Sequence, residues 1–354
     1  MSAIRLLGRR GIQVYAVDHL RSPLGFRSRY AVPRRVPDPG HNEPAFTSAL
    51  QELADEIGRP VPVFPARDED LNALARNHER LGNRFLNPFP SWDRLLDLQR
   101  KSFQVQRAAE LDIPIPETAT NADAVERYPV LVKPSQPTGF RARFGVQALR
   151  CETRAELERA LTETAPFEPL VQELIPGPDG ALFTLGVYID QTGNPVGIFC
   201  GRKIRQSPRT VGTCRVGEAL WVDEVVEHGL RLVHGIEFTG IAQVEFKYDH
   251  RDQEFKFIEI NPRLWQWHEN AAACGVDLPW IAYRDLNGDP SPPTTSRGCR
   301  RRWALTLHDN LVPALVRPPY TDPLFAPDDP RLAVVHLARV AKNTRRNRIR
   351  KPFP

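Results

Sequence analysis

The chain has 354 residues, of which 41% are apolar and 8% aromatic, so it can build a hydrophobic core and is not a disordered polymer. Its formal net charge is +5, but the last 16 residues hold seven positive charges, between Arg339 and Lys351, and no acid. The rest of the chain is close to neutral, which excludes the broad basic surface of a nucleic-acid-binding protein. We expect two or three domains.

Cysteine usage and hydropathy indicate the compartment. The five cysteines are scattered without a C-x-x-C pair, so the sequence predicts neither a zinc site nor a disulfide scaffold. We find no signal peptide and no apolar stretch long enough to span a bilayer. We therefore expect a reduced, cytoplasmic enzyme with no nucleic-acid or membrane partner. The cysteines are Cys151, Cys200, Cys214, Cys274 and Cys299.

The first predicted elements form an α/β unit at residues 1–92. The chain begins with the end of a helix, turns at Gly8 and Gly11, and continues as a strand that ends at Asp18. This pattern is typical of a small Rossmann-like domain whose first strand, with its glycine turn, is missing from the sequence. Two further helices and a short apolar strand are predicted at residues 43–58, 68–80 and 60–66.

Residues 93–170 are predicted to form a second, smaller unit. One helix is expected over residues 91–112, where the sequence IPIP then stops it. A buried strand follows at residues 128–135. Thr153 and Glu156 have the spacing of a capping box, which predicts the start of another helix.

Residues 171–290 are rich in predicted strands, so we expect antiparallel sheets there. Two of these strands, GIAQVEFKYD and EFKFIEINP, form a hairpin that ends at Pro262. Beyond Pro290 the chain becomes Pro-rich and basic, which predicts a looser C-terminal extension over residues 291–354. The fold class expected for the whole chain is therefore α/β and α+β.

The hairpin brings together side chains that suit a metal ion. Strand alternation places Glu245 on one face of the first strand, and Glu259 and Asn261 on one face of the second. If the turn is centred on Asp252, Glu245 lies opposite Glu259, with Cβ atoms roughly 5 Å apart. Two carboxylates and an amide oxygen suit a Mg²⁺ ion that also holds phosphate. A turn centred one residue away would instead pair the acids with cations on a solvated face.

Cations that could face phosphate are few. Lys133 ends a buried strand, where it is able to hold phosphate or to reach water. Lys101 is open to the same phosphate role, or to an ion pair with Asp97 one turn earlier. Lys203 and Arg205 alternate onto one strand face and form a patch for a phosphate or a carboxylate, although surface hairpins often carry such pairs.

The residues after Asn261 complete the candidate site. Arg263 is able to clamp a phosphoryl or carboxylate group with two parallel hydrogen bonds. Trp265 and Trp267 are predicted to pack in the core rather than to stack on a ligand. His268 is predicted to be a packed or exposed histidine rather than a base.

Taken in chain order, the predicted strands, helices and charged motifs resemble the ATP-grasp superfamily, specifically its carboxylate-amine ligases near the D-aspartate ligase group. The resemblance spans roughly residues 95–290 and implies a small ATP-grasp subdomain at 93–170 and a large one with the metal site at 171–290. Residues 1–92 would be the domain that precedes an ATP-grasp fold. The motifs that carry the resemblance are QRKSFQVQRAAELDIPIPET, VLVKPS, VQELIPGPD, GRKIRQSP, QVEFKYD and FIEINPR.

The resemblance also implies a role for each candidate residue. Two lysines would bind phosphate. The hinge, residues 171–179 (VQELIPGPD), would offer backbone groups to the adenine, and an acid at its end would hold the ribose hydroxyls. These ATP-binding residues are Lys101, Lys133, Glu173, Ile175 and Asp179. The catalytic cations are Lys203, Arg205 and Arg263, and the metal ligands are Glu245, Glu259 and Asn261.

The implied activity is an ATP-dependent ligation of a small-molecule carboxylate to an amine through an acyl phosphate, with Mg²⁺, or Mn²⁺ in its place. A carboxylase-type member of the superfamily and a nucleotide-binding protein without turnover are the alternatives, and a homodimer is left open. One departure concerns the loop after Lys133. Its glycines, Gly139 and Gly145, lie far apart where the family has a tight cluster, so no lid residue is assigned.

Overall fold

The computed structural model describes residues 1–135, 139–208, 212–305, 320–335 and 337. The basic segment predicted between Arg339 and Lys351 lies outside these residues. Within them, none of the helices combines the length and the apolar character that crossing a bilayer requires.

The helices are α1 (Ser2–Gly8), α2 (Glu43–Ile57), α3 (Asp68–Arg76), α4 (His78–Leu81), α5 (Trp92–Gln99), α6 (Lys101–Glu110), α7 (Phe140–Phe144), α8 (Arg154–Thr164), α9 (Asp223–Gly235), α10 (Glu269–Ala273) and α11 (Leu278–Leu286). The strands are β1 (Val14–Asp18), β2 (Ala31–Arg35), β3 (Val61–Pro62), β4 (Phe85–Leu86), β5 (Thr118–Ala119), β6 (Val130–Pro134), β7 (Leu149–Cys151), β8 (Pro169–Glu173), β9 (Leu182–Ile189), β10 (Pro195–Ser207), β11 (Thr213–Ala219), β12 (Gly240–Asp249), β13 (Glu254–Asn261), β14 (Thr294–Thr295), β15 (Arg302–Ala304) and β16 (Tyr320–Thr321).

The N-terminal part is an α/β unit with parallel strand pairs, as the sequence predicts. β1 pairs with β2, and β3 pairs with β4, both in parallel. Helix α2 begins at Asn42, whose side chain accepts a hydrogen bond from the Ala45 N–H, and ends at Gly58 with φ of 72°. Its buried face joins α3 and α5 in one apolar cluster, which includes Phe46, Leu50, Leu71, Leu74 and Leu95.

The helix predicted over residues 91–112 is two helices, α5 and α6. Arg100 between them has an extended backbone, with φ −78° and ψ 113°. The N–H of Lys101 donates to the carbonyl oxygen of Ser135, and the N–H of Ser102 to the Ser135 hydroxyl, each at 3.3 Å. These contacts with the end of β6 break the helix and place Lys101 at the start of α6.

A four-stranded antiparallel sheet follows in the order β5-β8-β6-β7. Helix α8 begins at Thr153, whose hydroxyl accepts from the Glu156 N–H, as the capping-box spacing predicts. The return contact differs, because the Glu156 carboxylate accepts from the N–H of Glu152 rather than from that of Thr153.

The large sheet has eight strands, in the order β13-β12-β9-β10-β11-β15-β16, with β14 on β10. Alternation along β9 separates two apolar clusters: Leu185 and Val187 pack under α9, while Tyr188 packs toward α11. On the second face Trp265 lies against Gly186, where a Cβ atom would come within 2.1 Å of the ring. This packing explains why that strand position is a glycine.

The prediction of a loose extension after Pro290 is wrong for the described residues. β14, β15 and β16 all join the large sheet. The chain after β16 then crosses the N-terminal unit, where the buried Asp329 accepts from the Ser28 hydroxyl at 2.6 Å and the Arg29 N–H at 3.0 Å. This segment therefore ties the two ends of the fold together.

A disulfide joins Cys274 and Cys299, so the expectation of reduced cysteines is wrong at this pair. The two cysteines are 25 residues apart and belong to no motif. They meet because the end of α10 packs near the loop between β14 and β15, which no local pattern reveals. The other three cysteines are free and buried.

Candidate active site

The β12–β13 hairpin carries the predicted acidic pair. Glu245 lies directly opposite Glu259, and Gln243 lies opposite Asn261, which confirms the predicted register. A β-bulge produces it: on the turn side of the bulge Phe246 pairs with Phe257, one residue out of step. Without the bulge, Glu259 would point to the other face of the sheet.

Three lysines converge on the two carboxylates. Lys101 donates from Nζ to Glu259 at 2.6 Å, and Lys203 donates to Glu245 at 2.8 Å. Lys133, buried on β6, donates to the side-chain oxygen of Gln172. Two negative groups thus face three positive ones, which leaves a cationic surplus for an anion. The alternative pairing of Lys101 with Asp97 is excluded, since the helix break turns Lys101 toward β13.

Burial and charge shift the proton equilibria of this cluster. Lys101 holds the pKa of Glu259 well below its usual range. Burial, together with the nearby charge of Lys101, lowers the pKa of Lys133 to about 8. Burial opposes the charge on Lys203, but the attraction of Glu245 outweighs it and raises that lysine's pKa. At neutral pH Glu259 is therefore ionised, and Lys133 and Lys203 are protonated.

The charged cluster lies where a narrow pocket opens into a wide cleft. The narrow pocket, about 120 Å³, is lined by charged and polar side chains and by larger apolar ones: Leu131, Leu174, Ile175, Leu182 and Ile258. The wide cleft, about 1340 Å³, lies between the N-terminal unit and the large sheet. Lys101, Lys203, Glu245 and Glu259 line both. A ligand with an apolar end and an anionic end fits this arrangement.

The predicted hinge residues behave differently from one another. Ile175 lines the narrow pocket, as expected of a residue beside a base. Glu173 also lines it, but its backbone N–H donates to the Glu117 carbonyl at 2.9 Å and is not available to an adenine. The carboxylate of Glu173 binds Arg251 at 2.6 Å and Lys256 at 3.4 Å. These contacts occupy the N–H and the carboxylate of Glu173, and its carbonyl oxygen stays the group predicted to face an adenine.

Asp179 and Arg205 do not line either cavity. Both carboxylate oxygens of Asp179 accept from Gln206, one from its backbone N–H and one from its side chain, each at 3.0 Å. Irregularities in β10 on both sides of Arg205 interrupt the alternation on which its placement relied. Lys203 and Gln206 line the narrow pocket instead, which corrects the predicted Lys203–Arg205 patch.

Arg263 lies in the wide cleft and is anchored to the N-terminal unit. Its guanidinium binds Asp68, at the start of α3, with two contacts of 2.5 and 3.2 Å. Trp265 and Trp267 are buried in the core, as predicted. His268 is buried as well, and burial lowers its pKa to about 4, so it is a packed neutral side chain rather than a base.

Two residues of the site were not among the predicted site residues. Lys247 lines the narrow pocket and follows Glu245 at the next position of the same strand face, so alternation was a sufficient signal for it. Gln104 hydrogen-bonds the backbone of Ile260, 156 residues away, and no local sequence pattern predicts such a contact.

The donor set fits a Mg²⁺ ion that shares its ligands with phosphate. Glu245, Glu259 and Asn261 offer hard oxygen ligands from two neighbouring strands. In the described part of the chain no group of three or more His, Cys, Asp or Glu side chains is placed to hold a metal ion. The protein would therefore supply part of the coordination shell, with phosphate oxygens and water for the rest.

Comparison with known families decides the identity of this region. A family model described as "Carbamoyl-phosphate synthase L chain, ATP binding domain" matches residues 98–289, which is more than half of the chain. The chain belongs to this ATP-grasp family. The matched segment of the ATP-grasp domain contains every residue of the charged cluster, from Lys101 to Arg263.

A D-aspartate ligase from Enterococcus faecium is 24% identical over 246 residues, which cover 62% of this chain and 58% of that protein. The chain thus spans somewhat more than half of that relative's length. Among solved structures, a biotin carboxylase–β,γ-ATP complex from Campylobacter jejuni matches with a TM-score of 0.64 at 17% identity, covering 84% of this chain and 70% of that one. An L-amino acid ligase from Bacillus licheniformis matches with a TM-score of 0.61 at 17% identity, covering 82% and 75%. These likenesses confirm the predicted ATP-grasp fold.

Proposed function

We propose that this ATP-grasp protein joins a small-molecule carboxylate to an amine, using ATP to form an acyl phosphate. The observation that carries the proposal is the position of the lysine–glutamate cluster at the junction of the two cavities. The narrow pocket receives part of the nucleoside, the cluster takes the phosphates, and the wide cleft has room for two further substrates.

In this reaction the protein positions the substrates and stabilises charge, and it supplies no nucleophile. A carboxylate oxygen attacks the γ-phosphorus, the new O–P bond forms, and the bond to ADP breaks. The amine nitrogen then attacks the acyl carbon, phosphate leaves with the former carboxylate oxygen, and the amine gives up a proton. Lys101, Lys133 and Lys203 hold the phosphoryl oxygens through these steps, while Arg263 orients the carboxylate from the cleft side.

Mg²⁺ belongs to the proposal, with Glu245, Glu259 and Asn261 as its ligands. When bound, it neutralises charge on the phosphate oxygens. Mn²⁺ as a substitute, a cytoplasmic location and a homodimer stay predictions.

The D-aspartate ligase relative supports amide formation, whereas the biotin carboxylase structure keeps a carboxylase reaction as the second candidate. The two differ in what the cleft must hold. The cleft of about 1340 Å³ has room for the substrates of either reaction, so the preference for amide formation rests on the D-aspartate ligase relative.

The test is an ADP-release screen over pairs of carboxylates and amines, with mass analysis of the products. We expect steady ADP release that needs both partners and Mg²⁺, and that is lost in Lys133→Met and Glu259→Gln. Glu254→Gln is the matched control, because Glu254 lies on the same strand but is exposed. Turnover with bicarbonate and no other carboxylate would favour the carboxylase, and ATP binding without ADP formation would contradict both reactions.

A further inference from the structure

Lys247 is a buried cation that the proposed chemistry does not use. Its side chain lies on β12, is only 8% exposed and lines the narrow pocket beside Leu182 and Ile258. Its ammonium donates to the carbonyl oxygen of Gly177 at the long distance of 3.4 Å. In the described parts of the chain no carboxylate oxygen comes within 4.0 Å of it. Asp179 and Asp249 compensate its charge only from farther away, so the buried ammonium is costly for the protein alone.

The residue opposite Lys247 in the hairpin, Lys256, is a buried lysine whose charge is compensated by carboxylates. Lys256 pairs with Lys247 across the two strands and is equally buried. Its ammonium lies 2.7 Å from Asp252, 3.1 Å from Asp249 and 3.4 Å from Glu173. Of the two neighbouring lysines, one is neutralised by the protein, and the other presents its donors to the pocket.

The position of Lys247 indicates which part of a nucleotide it would meet. Two residues along a strand span about 7 Å, so Lys247 lies about that far from Glu245, on the side of the hinge at Gly177. The sugar is the unit of a nucleoside triphosphate that follows the phosphates. Asp179, the residue expected to bind ribose, has both oxygens occupied by Gln206.

We propose that Lys247 donates hydrogen bonds to the ribose hydroxyl oxygens of the bound nucleotide. An ammonium has three donors and no acceptor, and a hydroxyl oxygen accepts from it. The inference rests on the nucleotide pocket of the proposed function but not on the ligase reaction. It makes Lys247 a determinant of sugar recognition in the narrow pocket.

The test is direct binding of the non-hydrolysable analogue with a β,γ-imido bridge, measured by calorimetry with Mg²⁺ present. In Lys247→Met we expect the dissociation constant to rise about tenfold or more, because a hydrogen bond to a charged group is lost. The melting temperature should be unchanged or higher, since methionine fills similar space without a buried charge. For the 2′,3′-dideoxy analogue, wild type and variant should bind equally.

Lys256→Met is the matched control: it should lower the melting temperature and change nucleotide affinity less than Lys247→Met does. Equal binding of the ribonucleotide by wild type and Lys247→Met would overturn the proposal. An equal loss of affinity for the dideoxy analogue would overturn the assignment to ribose. Failure of the wild-type protein to bind any nucleotide would overturn the proposed function as well, so the two failures are distinguishable.

Discussion

The side-chain amide of Gln104 hydrogen-bonds both backbone groups of Ile260. Its Nε2 donates to the Ile260 carbonyl oxygen at 3.3 Å, and its Oε1 accepts from the Ile260 N–H at 3.1 Å. Ile260 lies between the predicted metal ligands Glu259 and Asn261, and Gln104 lies one turn after Lys101. This one buried side chain therefore sets the distance between the helix that presents the lysine and the strand that presents the ligands.

We predict that Gln104→Met lowers the free energy of unfolding by about 1–3 kcal/mol, because both groups of Ile260 are left without a buried partner. The Mg²⁺ concentration that supports half-maximal ATP binding should also rise. Denaturant unfolding and Mg²⁺ titration measure the two effects. Gln106→Met is the control on the same helix, where the exposed Gln106 contacts only Glu110 among the described residues. Equal behaviour of the two variants would contradict the role of Gln104.

The pKa of Lys133, near 8, predicts that nucleotide binding takes up a proton. Triphosphate charge stabilises the ammonium and raises its pKa, so affinity should fall as pH rises above about 8. Binding heats at pH 8.5 in buffers with different ionisation enthalpies count the protons. Lys133→Met should abolish the uptake. Proton release on binding, or uptake that persists in this variant, would show that Lys133 is not the group responsible.

The lowered pKa of Lys133 also makes folding stability depend on pH. Here stability rises with pH over the range in which nucleotide affinity falls. The folded-state pKa of Lys133 lies below the unfolded value of about 10.4, so the unfolded chain binds more protons between these two values. Stability without nucleotide should therefore gain from Lys133 as pH rises from about 8 to 10. Comparing wild type with Lys133→Met over this range isolates that contribution, and a difference that does not vary with pH would contradict it.

Asp249 stabilises the tip of the hairpin through its charge. Hydrogen bonds from Arg251, then from Lys256, hold the pKa of this carboxyl well below its usual range. Its contribution is fully present above the unfolded pKa of about 3.9 and is lost as pH falls through the folded value. We predict that Asp249→Asn destabilises the protein by about 1–3 kcal/mol at pH 7, and by progressively less below pH 4. A penalty that stays constant down to pH 2 would disprove the electrostatic origin.

Removal of residues 338–354 should lower the isoelectric point and leave nucleotide binding unchanged, because the cluster at the cleft is built from residues 101–263.

Asp329→Ala should instead lower the melting temperature, since Ser28 and the Arg29 N–H lose their buried acceptor. Nucleotide titration and thermal unfolding of both variants check this division. Loss of binding in a truncated chain that still folds would place the tail in the site.

How much of the site could be predicted depended on how far each contact reaches along the chain. The opposition of Glu245 and Glu259 followed from alternation in one hairpin, although the turn lies half a residue from the predicted centre and a bulge makes up the difference. Residues within one strand or helix share a periodicity that a sequence displays. The ATP-grasp fold was predicted from the resemblance of the ordered motifs to that superfamily, not from periodicity.

The wrong predictions involve tertiary contacts that the periodicity of a single helix or strand does not encode. Arg100 interrupts a helix pattern because Ser135 binds the next turn. Arg205 leaves the predicted face because β10 is irregular on both sides of it. Cys274 meets Cys299 only in the folded chain. In each case tertiary structure overrides a local rule.

Oxygen tracing tests most directly whether an acyl phosphate links ATP cleavage to amide formation. The carboxylate substrate is supplied with ¹⁸O in both oxygens, together with ATP, Mg²⁺ and the amine, and the released phosphate is analysed by mass. We expect one ¹⁸O atom in each phosphate and one in each amide product. Phosphate without ¹⁸O would contradict an acyl phosphate, because the carboxylate oxygen would then never have been bonded to phosphorus.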